Sequence, residues 1–122
     1  MKALLIDDEP LIRELFVEFL EILGYEADAA VDGYEGLARF DPLVHEVVIT
    51  DFLMPGLTGL DVVEAIRARG HTTPIVMISG HAEPDVQRRA VQAGLRFLRK
   101  PVTLGQFQAA IAEVLEPAAA AR

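Results

Sequence analysis

Several polar side chains follow or end short runs that read as strands, and their chemistry suits handling a phosphoryl group. Asp7 and Asp8 follow Ala3-Leu4-Leu5-Ile6, and Asp51 follows Val47-Val48-Ile49-Thr50. Ser79 follows Ile75-Val76-Met77-Ile78, and Lys100 follows Arg96 to Arg99. Three carboxylates brought together repel one another, so at least one pKa should rise unless a cation enters. Oxygen donors of this kind suit a hard divalent ion, above all Mg²⁺. Such an ion neutralises charge on an incoming phosphoryl group, and a carboxylate can serve as the nucleophile and form an aspartyl phosphate. Lys100 offers a point charge and Ser79 a hydroxyl donor, which fits a reaction that asks mainly for positioning and electrostatic stabilisation.

Taken singly, each residue has an ordinary reading. An Asp-Asp pair after a strand is often a turn or a helix cap, and Asp8 could cap the helix that begins near Pro10. Asp51 could be a turn residue, Ser79 a loop cap and Lys100 a surface lysine. The constellation carries the chemistry, so the elements that position it decide the matter.

Short continuous apolar runs rich in β-branched residues read as strands buried on both faces, as in parallel sheets. Tyr25 to Ala29 and Arg96 to Arg99 read as edge strands. Between the strands lie helical patterns. Leu11, Leu15, Phe19 and Ile22 recur at helical spacing and stop at Gly24. Asp32 to Phe40 reads as a shorter helix ended by Asp41-Pro42. Leu60, Val63 and Ile66 mark another, with Thr58 or Gly59 near its start. Pro84 suits the first turn of a helix reaching Gly94, and Thr103 caps a last one carrying Leu104, Phe107, Ile111 and Val114. Alternation of five strands with five helices predicts a doubly wound α/β fold, a parallel sheet with helices on both faces. Ligands in such sheets bind outside the carboxyl ends of the strands, where Asp7, Asp8, Asp51, Ser79 and Lys100 would all converge.

Four fragments then resemble the receiver domain of two-component response regulators, over nearly the whole chain. They are Ile6-Asp7-Asp8-Glu9-Pro10, then Asp51-Phe52-Leu53-Met54-Pro55 with Gly59, then Pro74 to Gly80, then Phe97-Leu98-Arg99-Lys100-Pro101. The resemblance implies a flavodoxin-like, three-layer α/β/α fold with strand order 2-1-3-4-5. It implies Asp51 as phosphoacceptor, with Asp8 as a direct Mg²⁺ ligand, Asp7 as a ligand acting largely through water, and the Leu53 backbone carbonyl as a further contact to the ion. It also implies Ser79 as the hydroxyl that moves toward the phosphoryl group, Phe97 as the aromatic that turns inward with it, and a cis bond between Lys100 and Pro101. For Phe97 a plain core aromatic is the rival reading. The implied donor is a histidine kinase or histidine phosphotransfer protein. The implied readout surface is the face of helix 4, strand 5 and helix 5, near Val86 to Ala93 and Gln106 to Val114, in a monomer or a phosphorylation-dependent homodimer.

Leu53 and His81 fall where the family tunes phosphoryl lifetime. Leu53 cannot position an attacking water, so slow self-hydrolysis is expected. His81 reads otherwise as a solvated loop residue, and His45 and His71 read as surface residues. Gly36 falls in a helix where alanine is usual, at a propensity cost of up to about 1 kcal/mol.

Composition narrows the field further. The 122 residues suit one domain, read as 1–116, with 117–122 an Ala-rich tail or the start of a linker. The absence of cysteine removes disulfides, thiol catalysis and thiolate metal sites. A formal net charge of -8 argues against direct nucleic-acid binding. No run approaches the roughly 20 apolar residues that span a bilayer, so a cytoplasmic protein is expected. A phosphorylation-controlled signalling switch rather than an enzyme is the leading reading. An aspartate-nucleophile phosphatase would want a second acid two residues after Asp51, where Leu53 stands. A flavodoxin-like cofactor domain would want a glycine- and hydroxyl-rich loop in place of Asp7-Asp8-Glu9-Pro10. A receiver-like interaction domain that is never phosphorylated is the remaining alternative.

Overall fold

The computed structural model describes residues 1–80 and 83–116. The readings of His81 and of the tail from Pro117 lie outside the described residues. Five parallel strands form one sheet in the order β2-β1-β3-β4-β5, the arrangement expected. The strands are β1 (Lys2–Ile6), β2 (Glu26–Ala30), β3 (His45–Asp51), β4 (Ile75–Ser79) and β5 (Arg96–Arg99). The helices between them are α1 (Pro10–Ile22), α2 (Gly33–Arg39), α3 (Gly59–Ala68), α4 (Pro84–Gln92) and α5 (Leu104–Leu115).

Side chains alternate across the strands, so each central strand feeds two apolar layers. Leu4, Ile6, Val48 and Met77 face α2, α3 and α4 through Leu37, Val62, Val63, Ile66 and Ala90. Ala3, Leu5, Ile49 and Ile78 face α1 and α5 through Phe16, Leu20, Phe107 and Ile111. Helix starts follow local chemistry. Thr58 and Thr103 each cap a helix through a reciprocal capping box, with Asp61 and Gln106 returning the bond. Asp32 caps α2 by accepting from the Glu35 N–H. Asp8 does not cap α1; the cap position is Glu9, and no side chain bonds there.

Three expectations are corrected. The buried face of α1 is not the Leu11, Leu15, Ile22 stripe: Leu11 and Ile22 are 79% and 67% exposed, while Phe16 and Leu20 are buried. This helix is apolar on more than one side, so periodicity permits two faces. The aromatic group of Phe16, Phe19 and Phe107, with ring centroids 5.3 to 5.9 Å apart, decides which one turns inward. His45 is no surface loop residue; it opens β3 and is buried. Its Nδ1 accepts from the Asp41 N–H at 3.0 Å. That leaves the ring proton on Nε2, 2.7 Å from Asp28 Oδ2. This hydrogen bond is the main reason the Asp28 carboxyl is held below its usual value. Gly36, finally, is required by packing, because a Cβ built there would overlap the Ile6 side chain of β1.

Candidate functional site

Strand register brings the chemistry together. Parallel pairing aligns Ile6 with Thr50, Asp51 with Ile78, and Ser79 with Arg99. The residues at or just past these positions therefore share one edge of the sheet. The Lys100 N–H donates to the Ser79 carbonyl at 2.9 Å, extending the β4–β5 pairing by one residue and carrying Lys100 to the site. The bond from Lys100 to Pro101 is cis. After Asp51 the chain must turn sharply into α3. Gly59 allows this, since a Cβ there would overlap the Asp51 carbonyl, and its N–H donates to the Phe52 carbonyl at 2.7 Å.

Asp7 and Asp51 are 1% and 5% exposed, and Ser79 is fully buried. Carboxylate oxygens of Asp7, Asp8, Glu9 and Asp51 all lie within 4.8 Å of one another. The Lys100 Nζ stands among them, 3.3 Å from Asp7 Oδ2, 3.4 Å from Asp51 Oδ2 and 3.5 Å from Glu9 Oε1. Asp7 also turns back on its own loop, its Oδ1 accepting from the Glu9 N–H at 2.9 Å. A cleft of about 120 Å³, lined by Glu9, Asp51, Leu53, Gly80 and Lys100, opens this cluster to solvent. Phe97 is half-buried on β5 opposite Met77 and packs on the layer holding Val86, Ala90 and Leu95.

Electrostatics follow from this crowding. Burial pushes the Asp51 carboxyl up from 3.8 to about 6; Lys100 pulls it down and Asp7 pushes it up again. Burial also raises Asp7, against the opposing pull of the Glu9 N–H and Lys100. Burial by itself would lower the Lys100 ammonium, but Asp51, Asp7 and Glu9 together outweigh it and raise its pKa. Loss of water thus exceeds mutual repulsion as the cause of the raised acid, a point charge counting alone does not reveal. The cluster offers hard oxygen donors only, on two buried and two solvent-reaching side chains, a donor set that fits Mg²⁺ with retained waters.

Glu9 stands in the Ile6 to Pro10 fragment without a role that the sequence assigns to it. The structure makes it a member of the carboxylate cluster and a wall of the cleft. The signal was its place directly after Asp7-Asp8, before a helix.

Residues 3–112 match the family model of the response regulator receiver domain. The sensor histidine kinase RcsC of Salmonella typhi is 32% identical over 117 residues, which is 95% of this chain and 12% of that protein. The response regulator protein PilR of Pseudomonas aeruginosa is 35% identical over 115 residues, 93% of this chain and 26% of that protein. The chain therefore spans only a small part of these curated relatives. A receiver domain protein from Clostridium thermocellum has the same fold, with a TM-score of 0.89, 33% identity and coverage of 99% of this chain and 98% of that one. The chemotaxis protein CheY4 of Vibrio cholerae superposes with a TM-score of 0.84 at 31% identity, covering 93% of this chain and 98% of that one.

Proposed function

This chain belongs to the response regulator receiver domain family of two-component systems, and from that premise we propose that Asp51 is its phosphoacceptor. The observation that carries the reading is the placement of Asp51: a buried carboxylate at the floor of an open cleft, 3.4 Å from Lys100 Nζ and inside the four-carboxylate cluster. With a pKa of about 6, Asp51 is largely ionised at pH 7 and available as a nucleophile. Its carboxylate oxygen attacks phosphorus of a phosphohistidine on a histidine kinase or phosphotransfer protein. The P–N bond breaks as the P–O bond forms, and the imidazole leaves. Asp7, Asp8 and Asp51, with the Leu53 carbonyl, are the proposed holders of Mg²⁺, which when bound would offset the charge of the carboxylates and the phosphoryl oxygens. In this reading Lys100, shared here by Asp7, Glu9 and Asp51, pairs with one phosphoryl oxygen, and the Ser79 hydroxyl donates to another.

The product is a stored signal rather than a turnover. Movement of Ser79 toward the phosphoryl group would draw Phe97 inward and bias a two-state equilibrium. The face of α4, β5 and α5 is the proposed readout surface, within a receiver of residues 1–116 acting in the cytoplasm. No helix among the described residues is long and apolar enough to cross a membrane.

Incubation with Mg²⁺ and a small phosphodonor, followed by intact-mass measurement, tests the reading. One phosphoryl adduct is expected, lost without Mg²⁺ and lost in Asp51→Asn. An undiminished adduct on Asp51→Asn would overturn the assignment.

A further inference from the structure

Arg13 sits on α1, one turn beyond the Asp7–Glu9 segment, and its Nη1 donates to the Asp7 carbonyl at 2.8 Å. Asp7 lies one residue past the end of β1, where the sheet ladder stops. Its N–H still reaches the Ala30 carbonyl at 3.2 Å, and the guanidinium supplies the partner for its C=O. Beyond that N–H, the carbonyl and carboxylate of Asp7 are held from three further directions. Arg13 holds the carbonyl from α1, the Glu9 N–H holds Oδ1 from within the turn, and Lys100 holds Oδ2 from beyond β5. The Asp7 carbonyl belongs to the peptide that joins Asp7 to Asp8, so fixing it fixes the direction in which the Asp8 side chain leaves the backbone.

We propose that Arg13 is a positioning residue for the cation site, locking the Asp7–Asp8 peptide so that both carboxylates face Asp51. This rests on the reading that the acidic cluster holds Mg²⁺. Arg13 has two opposed influences on a cation. Its positive charge repels one, and its hydrogen bond orders the groups that bind one. The Arg13 guanidinium is half-buried and its Nη1 is held on the Asp7 carbonyl, while the cation standing 3.3 to 3.5 Å from the carboxylates is Lys100, so for Arg13 ordering outweighs repulsion. Groups that orient metal ligands typically contribute about 10- to 100-fold in metal affinity. Loss of the Arg13 donor therefore weakens Mg²⁺ binding by about tenfold.

The test is calorimetric titration of the full metal-free chain with Mg²⁺, for wild type, Arg13→Met and Arg13→Lys. Methionine keeps an apolar stem without donor or charge; lysine keeps a charged donor. Arg13→Met is expected to bind about tenfold more weakly, and Arg13→Lys to recover most of the loss. Urea unfolding of the metal-free proteins checks that both variants fold. If Arg13→Met does not, Arg13→Gln, whose amide is too short to reach the same carbonyl, replaces it with the same expectation. Binding by the donorless variant as tight as wild type or tighter would overturn the inference, as would Arg13→Lys binding no better than Arg13→Met. Failure of the wild type to bind Mg²⁺ would instead strike down the metal reading beneath it.

Discussion

The raised carboxyl of Asp51 means that the folded, metal-free protein carries a cost that a single substitution should relieve. The folded-state value is about 6 against an ordinary 3.8. The folded protein thus binds the proton more tightly than the unfolded chain, and between these values stability falls as pH rises. Below about pH 4 both states are protonated and the cost is absent; above about pH 6 it is fully present. At about 1.4 kcal/mol per pH unit, the difference of roughly two units comes to about 3 kcal/mol at pH 7. Asp51→Asn removes the ionisable group while keeping its size, so the variant should be more stable by about 1–3 kcal/mol at pH 7. The lower end of that range allows for Asp7 and Lys100 readjusting once the charge is gone. For a domain of this length the gain corresponds to roughly 4–12 °C in unfolding midpoint. Thermal unfolding of both proteins in chelator, from pH 4 to 7.5, reads it directly. The gain should shrink toward zero at the acid end. Added Mg²⁺ should stabilise wild type more than the variant, narrowing the gap. A variant no more stable than wild type at pH 7, or a gain that persists undiminished at pH 4, would refute the reasoning.

Other contacts carry consequences of their own. Gly36→Ala should destabilise by about 1–3 kcal/mol in urea unfolding despite alanine's better helix propensity, because the added methyl meets Ile6. His45→Ala strands the Asp41 N–H and takes the ring hydrogen bond from the Asp28 carboxylate, leaving it Lys2 and solvent, and should lose about 1–3 kcal/mol by the same measurement. Lys100→Met removes the cation shared by Asp7, Glu9 and Asp51; it should slow phosphorylation from a small phosphodonor by 10-fold or more while leaving Mg²⁺ binding measurable by calorimetry. Leu53 lines the cleft beside Asp51, and Leu53→Asn should shorten the phosphoryl lifetime by bringing in a group able to orient water, as followed by loss of the adduct mass with time.

Much of this site was legible because it obeys a rule about sheets. Asp51 and Ser79 end strands, Asp7 and Lys100 lie one residue past strand ends, and a parallel sheet aligns those ends. The features that escaped are pairings across elements. His45 reads as a loop residue beside Pro42, because its partner Asp28 lies on β2, with β1 between the two strands. The inward face of α1 depends on Phe107, which is nearly the whole chain away. Gly36 looks like a weak helix residue until Ile6 is seen beneath it. Glu9 carries no role in the fragment that contains it and Arg13 lies in none of the four fragments; their significance comes from Lys100 and from the Asp7 carbonyl.

The central claim is that Asp51, among four neighbouring carboxylates, is the one that takes the phosphoryl group. Borohydride reduction converts an aspartyl phosphate to homoserine, and peptide sequencing by mass spectrometry then locates it. After Mg²⁺-dependent phosphorylation the account predicts homoserine at position 51 alone. Homoserine at Asp7 or Asp8, with position 51 still aspartate, would contradict it.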